Sequence, residues 1–170
     1  MKTYYLTLSQ TFPAKHPRKG EPTYFEEKLQ NAGVKMNNKS WCAGLIPCLY
    51  NTKLHTIRAN YPFWAKRFEQ IAAGEAVLSV RQWSGKPYRS KMVEICRLTK
   101  DDGIGIQKLE FVPCCGIIGA TVVINGEDKF MSKITLAAND GLTHDDWLEW
   151  FKSYDLSQPL AIIHFTKFRY

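Results

Sequence analysis

Lys53-Leu54-His55-Thr56-Ile57-Arg58, with the aromatic run Tyr61-Pro62-Phe63-Trp64 close behind it, is the stretch on which the reading of this chain turns. It places a lysine, a hydroxyl and an arginine close together, and its histidine adds a group that titrates near neutrality. If Thr52–Arg58 runs extended, side-chain alternation puts Thr56 and Arg58 on one face with Leu54, and Lys53, His55 and Ile57 on the other. A bend at Lys53 would instead turn the lysine toward Thr56. Such a cluster suits a phosphate, a carboxylate or a polarised carbonyl, which makes it the first candidate for chemistry.

Outward from the cluster, Asn60 or Tyr61 starts a helix in which Pro62 is tolerated in the first turn. Trp64, Phe68, Ile71 and Ala72 form its apolar stripe, Lys66 and Glu69 lie outside it, and Gly74 stops it. Ala76–Trp83 reads as a strand, Ser84-Gly85-Lys86-Pro87 as a turn, and Tyr88–Leu98 as the next strand. After the turn Asp101-Asp102-Gly103 comes the strand Ile104–Val112. Gly116–Ile124 and Lys129–Ala137 then form a hairpin across Asn125-Gly126. Thr143 caps a last helix, with Asp146 at its third position. Trp147, Trp150, Phe151 and Tyr154 follow at i, i+3, i+4 and i+7, a spacing expected of core rather than of a stacking platform. Pro159 leads into the closing strand Leu160–Phe168.

Ahead of the cluster, Tyr4–Leu8 reads as the first strand and Thr11–Pro22 as an exposed basic loop rich in proline. Thr23 is the expected helix N-cap, with Glu26 completing a capping box and Gly33 ending the helix. Asn37–Pro47 shows no periodicity and is expected to be an irregular excursion. The sum is one α+β domain over residues 1–170, with about six or seven mostly antiparallel strands and about three helices. That strand count with short turns favours a closed or nearly closed barrel.

Composition narrows the function classes. A chain of 170 residues, 45% hydrophobic and 23% charged, can bury a sizeable core. No run approaches the ~18–20 apolar residues of a membrane helix, so no membrane partner is expected, and no signal peptide is expected from the N-terminal residues. The cysteines Cys42, Cys48, Cys96, Cys114 and Cys115 are odd in number and lack a C-x-x-C pair. Reduced thiols in a cytoplasmic protein, with no metal and no cofactor, are therefore expected. Net charge is +7, and all of the surplus lies in one half. Residues 1–85 hold 12 basic and 5 acidic side chains, and residues 86–170 hold 11 of each. The surplus sits where the cluster sits and suggests a polyanionic partner, with nucleic acid first.

The pattern Lys53-x-x-Thr56-x-Arg58 precedes a helix ending at Gly74-Glu75 and the strand Ala76-Val77-Leu78-Ser79-Val80. Together with the turn Asn139-Asp140-Gly141 and the terminal helix and strand, it resembles the ASCH domain, a family of the PUA-like superfamily. The resemblance covers roughly residues 45–170. It implies a small β-barrel with flanking helices, a cleft lined by the motif, and RNA, single-stranded nucleic acid or a modified nucleoside as ligand. Residues 9–50 are then an N-terminal elaboration. Some small bacterial members are amidohydrolases that deacetylate N4-acetylcytidine through a lysine, a threonine and a glutamate. By position these roles fall on Lys53, Thr56 and Asp140, the last an aspartate where those enzymes use glutamate.

Binding asks for less than catalysis does. Lys53, Arg58, Arg81, Lys86 and Arg89, with Lys66, Arg67 and Lys91, would line a cleft and its rim for phosphate contacts. Trp83 and Tyr88 flank a basic turn where a base could stack; equally they could form a cross-strand aromatic pair. His55 could contact the ligand or act as a base. Hydrolysis would need a nucleophile, an activating base and an oxyanion donor, to be drawn from Thr56, Lys53, Arg58 and Asp140. A third class, a protein-interaction module that uses its basic face, also fits the charge.

Overall fold

The computed structural model describes residues 1–37, 51–114 and 116–170. The chain runs through β1 (Lys2–Thr7), α1 (Phe25–Asn31), β2 (His55–Arg58), α2 (Tyr61–Ala72), β3 (Ala76–Trp83) and β4 (Met92–Leu98). It continues through β5 (Gly105–Cys114), β6 (Ile117–Ile124), β7 (Glu127–Met131), α3 (Lys133–Asn139), α4 (His144–Phe151) and β8 (Leu160–His164). The α+β class expected from the sequence is thus the observed one.

The strands form two sheets, ordered β1-β3-β4 and β2-β8-β5-β6-β7. β1 runs parallel to β3, and every other ladder among the described residues is antiparallel. Among the described residues no ladder joins the two sheets, so the barrel expected from the strand count is not closed. Among the described residues there are eight strands and four α-helices, more than expected. The sheets separate at Thr99, whose side chain and that of Asp102 build a capping box around a short 3-10 turn, Lys100–Asp102. Gly103 follows at φ 75°, and β5 starts in the second sheet.

One core lies between the sheets and under α2. Leu6, Leu78 and Val80 from the first sheet join Ile57, Leu109 and Ile162 from the second, with Trp64, Phe68 and Ile71 of α2. Each large side chain buried there stabilises the fold by ~1.5–3 kcal/mol. The α2 stripe falls as its periodicity predicts, except that Ala72 is exposed. Asn60 caps α2 by accepting from the Phe63 N–H at 3.2 Å.

Local chemistry corrects several expectations. Lys129–Ala137 is not one strand: β7 ends at Met131 and Ser132 caps α3, accepting from the Thr135 N–H, which buries Leu136 and Ala137. Thr23 does not cap α1. The N-cap is Tyr24 at φ 56°, and the Thr23 hydroxyl instead donates to the Ser9 carbonyl at 2.7 Å. β4 starts only at Met92, which leaves Ser84–Lys91 as a loop, and β8 ends at His164. Thr143 caps α4 as expected, accepting from the Asp146 N–H.

The expected excursion Asn37–Pro47 lies, beyond Asn37, outside the described residues, as do Cys42, Cys48 and Cys115. Cys96 is a buried free thiol whose pKa burial pushes up to about 12. Among the described residues no helix is long and apolar enough to cross a membrane.

Candidate functional site

Two backbone hydrogen bonds fix the bend that the sequence left open. The Lys53 N–H donates to the Lys28 carbonyl at 3.0 Å, and the Leu54 N–H donates to the Asn139 carbonyl at 2.8 Å. Strand alternation therefore begins only after Lys53, and its side chain turns into the cavity that Thr56 and Arg58 also line. There the ammonium forms an ion pair with the Asp140 carboxylate and donates to the Asp140 carbonyl at 2.6 Å. It also lies 4.0 Å from the centroid of the Phe25 ring.

Asp140 follows the last turn of α3, and Gly141 behind it stands at φ 77°. A Cβ on Gly141 would fall 3.3 Å from Lys53 Cβ and 3.2 Å from Lys28 Cδ, so glycine admits both lysines. Lys28 Nζ donates to the Gly141 carbonyl at 2.7 Å. Two cations thus meet the carbonyl end of a helix, where the peptide dipoles favour positive charge. This close approach brings the short aspartate side chain within reach of the lysine.

Burial outweighs pairing on both sides of the Lys53–Asp140 contact. It lowers the lysine pKa to about 8 despite the carboxylate beside it, with Arg58 and Lys28 adding to the drop. It raises that of Asp140 despite the lysine. The Trp147 indole lies near the same carboxylate and favours its charged form, although its N–H is outside regular hydrogen-bond geometry. Arg58 donates to the carbonyls of Thr7 at 2.7 Å and Ile57 at 3.0 Å and meets no carboxylate at ion-pair distance among the described residues.

Around this polar floor the cavity, of about 270 Å³, is walled by aromatic rings. Trp83 and Tyr88 stand on one side, their centroids 5.3 Å apart. Phe25, Trp150, Phe151 and Tyr154 also line it. Tyr88 is 89% exposed at φ 62° at the rim. Of the aromatic stripe read as core, Trp147 is core, whereas Trp150, Phe151 and Tyr154 also face the cavity.

No family model matches this chain, and neither does any curated protein or any solved structure.

The structure brings together Lys53, Thr56, Arg58, Asp140, Trp83 and Tyr88. Other expected site residues lie elsewhere. His55 is buried away from the cavity, with Nε2 2.8 Å from the Tyr170 hydroxyl, because strand alternation turns it to the opposite face from Thr56. Arg81 leaves the cleft at a register shift between Val80 and Arg81; its guanidinium covers the Tyr5 ring at 4.1 Å and bonds the Ser79 hydroxyl. Lys86 and Arg89 are exposed in the loop that carries Tyr88, outside the cavity lining. Arg67 lies over the rings of Phe63, Tyr4 and Trp64.

Phe25 and Lys28 were missed because the segment carrying them shows only helix start and stop signals, which do not say what the helix packs against. Thr7 and Ser9 line the cavity too, at the end of a strand whose only legible signal was alternation. Tyr154 was visible as an aromatic position, but its second role depends on where α4 lies.

Proposed function

We propose that this pocket binds an unstacked base of RNA or another single-stranded nucleic acid, or a modified nucleoside. The observation that carries this reading is an aromatic-walled cavity with Arg58, unpaired with any carboxylate among the described residues, on its floor. Rings supply sequence-tolerant stacking surface, and a guanidinium with no carboxylate partner among the described residues supplies phosphate affinity. The resemblance of Lys53–Arg58 to the ASCH family supports the same ligand class. A PUA-like relationship is part of this reading, carried by the motif and the order of elements rather than by barrel closure. A reduced, buried Cys96 fits a cytoplasmic setting.

Fluorescence polarisation with a labelled mixed-sequence RNA of about 10 nucleotides tests it. Affinity should fall steeply between about 50 and 200 mM salt. Trp83→Ala should weaken binding by roughly 5- to 100-fold, the equivalent of ~1–3 kcal/mol of stacking, and Arg58→Ala should weaken it and flatten the salt slope. Indifference of RNA affinity to Trp83→Ala would sink the reading. Salt-sensitive binding to an acidic protein, with no response to RNA or nucleosides, would make the basic face a protein-interaction surface.

A second reading, an amidohydrolase acting on an acylated nucleobase such as N4-acetylcytidine, is favoured by the meeting of Lys53, Thr56 and Asp140 in one cavity. At neutral pH Lys53 is mostly protonated and suits proton donation or oxyanion stabilisation. If it served as the base, kcat/KM would rise with pH up to about 8, where Lys53 loses its proton. Turnover of N4-acetylcytidine abolished by Lys53→Ala and by Thr56→Ala would establish this activity; turnover surviving either change would exclude the assignment.

A further inference from the structure

Tyr154 lines a second cavity as well as the first. This neighbour, of about 580 Å³, lies between the start of α2 and the segment leading into β8. Ala59, Asn60 and Pro62 form one side, and Tyr154, Asp155, Gln158 and Pro159 the other, with the Asp155 carboxylate accepting from the Ser157 N–H and hydroxyl. The two sides are tied by the Tyr61 N–H, which donates to the Pro159 carbonyl at 3.1 Å. Along the chain, Arg58 lines the first cavity and its neighbour Ala59 the second.

The two compartments therefore adjoin at Tyr154, and Arg58 lines the aromatic one. We propose that the second cavity holds the nucleotide adjoining the one in the aromatic pocket, with the phosphate between them on Arg58. This inference rests on the nucleobase reading above and deepens it: the preferred ligand is a dinucleotide step of a single strand, not a lone nucleoside.

Three features fit the second compartment to a base. Pro62, Pro159 and the Tyr154 ring offer apolar faces for a flat ring. Asn60 uses its side-chain oxygen to cap α2 and keeps its NH2 for an acceptor on the ligand. The Gln158 side chain is exposed and makes no hydrogen bond among the described residues, so it can serve either a donor or an acceptor. The first cavity, at about 270 Å³, is just below the ~300–1,000 Å³ usual for small-molecule sites and suits one base rather than two.

The test is calorimetric titration with three sets of probes: the four nucleosides, their 3′-monophosphates, and mixed-sequence dinucleotides in ribo and deoxy forms. Monophosphates should bind more tightly than nucleosides, and dinucleotides roughly tenfold more tightly than monophosphates, one stacked base being worth ~1–3 kcal/mol. Ala59→Trp, which fills the second cavity from an exposed position, should return dinucleotides to the affinity of monophosphates and leave monophosphate binding unchanged. Gln158→Ala, a milder change at an exposed residue, should weaken only the dinucleotides. Arg58→Ala should erase the difference between monophosphate and nucleoside. A ribo preference would identify RNA, and equal binding a single strand of either sugar. Monophosphates and dinucleotides of equal affinity, or dinucleotide binding that ignores both Ala59→Trp and Gln158→Ala, would overturn the two-compartment site while the base pocket stands. No binding by any probe would overturn the base pocket and this inference together.

Discussion

His55 and His164 are register partners on β2 and β8, their ring centroids 5.6 Å apart. His55 reaches the Tyr170 hydroxyl, which also accepts from Asn139 Nδ2 at 3.0 Å. Neither nitrogen of His164 has a hydrogen-bond partner among the described residues. Burial holds His55 well below the ordinary histidine range and lowers His164 to about 3. A folded-state pKa below the unfolded value of ~6.5 means that the unfolded chain binds more protons between those limits, so stability falls as pH drops from about 6.5 toward 3. His164→Leu should remove its share of that acid limb, about 2 kcal/mol between pH 7.5 and pH 5. Urea midpoints measured at both pH values check this; equal declines in variant and parent would refute it. The hexapeptide showed that these residue types are close together, but not which of them share a face. Two backbone bonds, from residues distant in sequence, turned Lys53 toward Thr56 and left His55 behind.

The segment Ser9–Thr23 is an element in its own right, although it contains no strand or helix. Thr11 bridges Pro22, and Thr23 bonds back to Ser9 and Gln10, which closes the loop. Phe12 is buried in it, 4.5 Å from the His16 ring centroid and 5.8 Å from that of Trp150. His16 Nε2 reaches the Asp146 carbonyl at 3.1 Å, and Arg18 bonds the Asp146 carboxylate at 2.7 Å, so the loop is fastened to the first turn of α4. It supports Trp150, a wall of the pocket. Phe12→Ala should therefore destabilise the fold by ~3–5 kcal/mol and weaken ligand binding through the loosened Trp150. Chemical denaturation and the RNA titration check the two effects, and a loss below about 1 kcal/mol would show that the loop is merely laid on the surface. At this scale α2 and β3 were legible, because a 3.6-residue stripe ending at Gly74 and an apolar run from Ala76 leave little choice. α3 was not. Ile134 and Thr135 favour a strand locally, and the Ser132 cap with the burial of Leu136 and Ala137 overrode that preference.

Across the whole molecule, the pocket draws on both sheets and on two helices: Thr7 and Trp83 from the first sheet, Thr56 and Arg58 from the second, Phe25 from α1 and Trp150 from α4. The basic surplus of residues 1–85 includes Lys28, Lys53 and Arg58, which meet around the end of α3 and set the field of the cavity. By itself the sequence determined the α+β class, most helix and strand positions and the polar motif. Those follow from periodicity, capping and turn chemistry acting over a few residues. Only the tertiary structure decided that no ladder joins the two sheets among the described residues and that Asp140 meets Lys53, 87 positions away. It also decided that α4 lends its aromatic stripe to a pocket as well as to the core. The reason is physical: such contacts depend on how elements pack in space, and burial sets the charge behaviour of Lys53, Asp140 and His164 only once that packing exists.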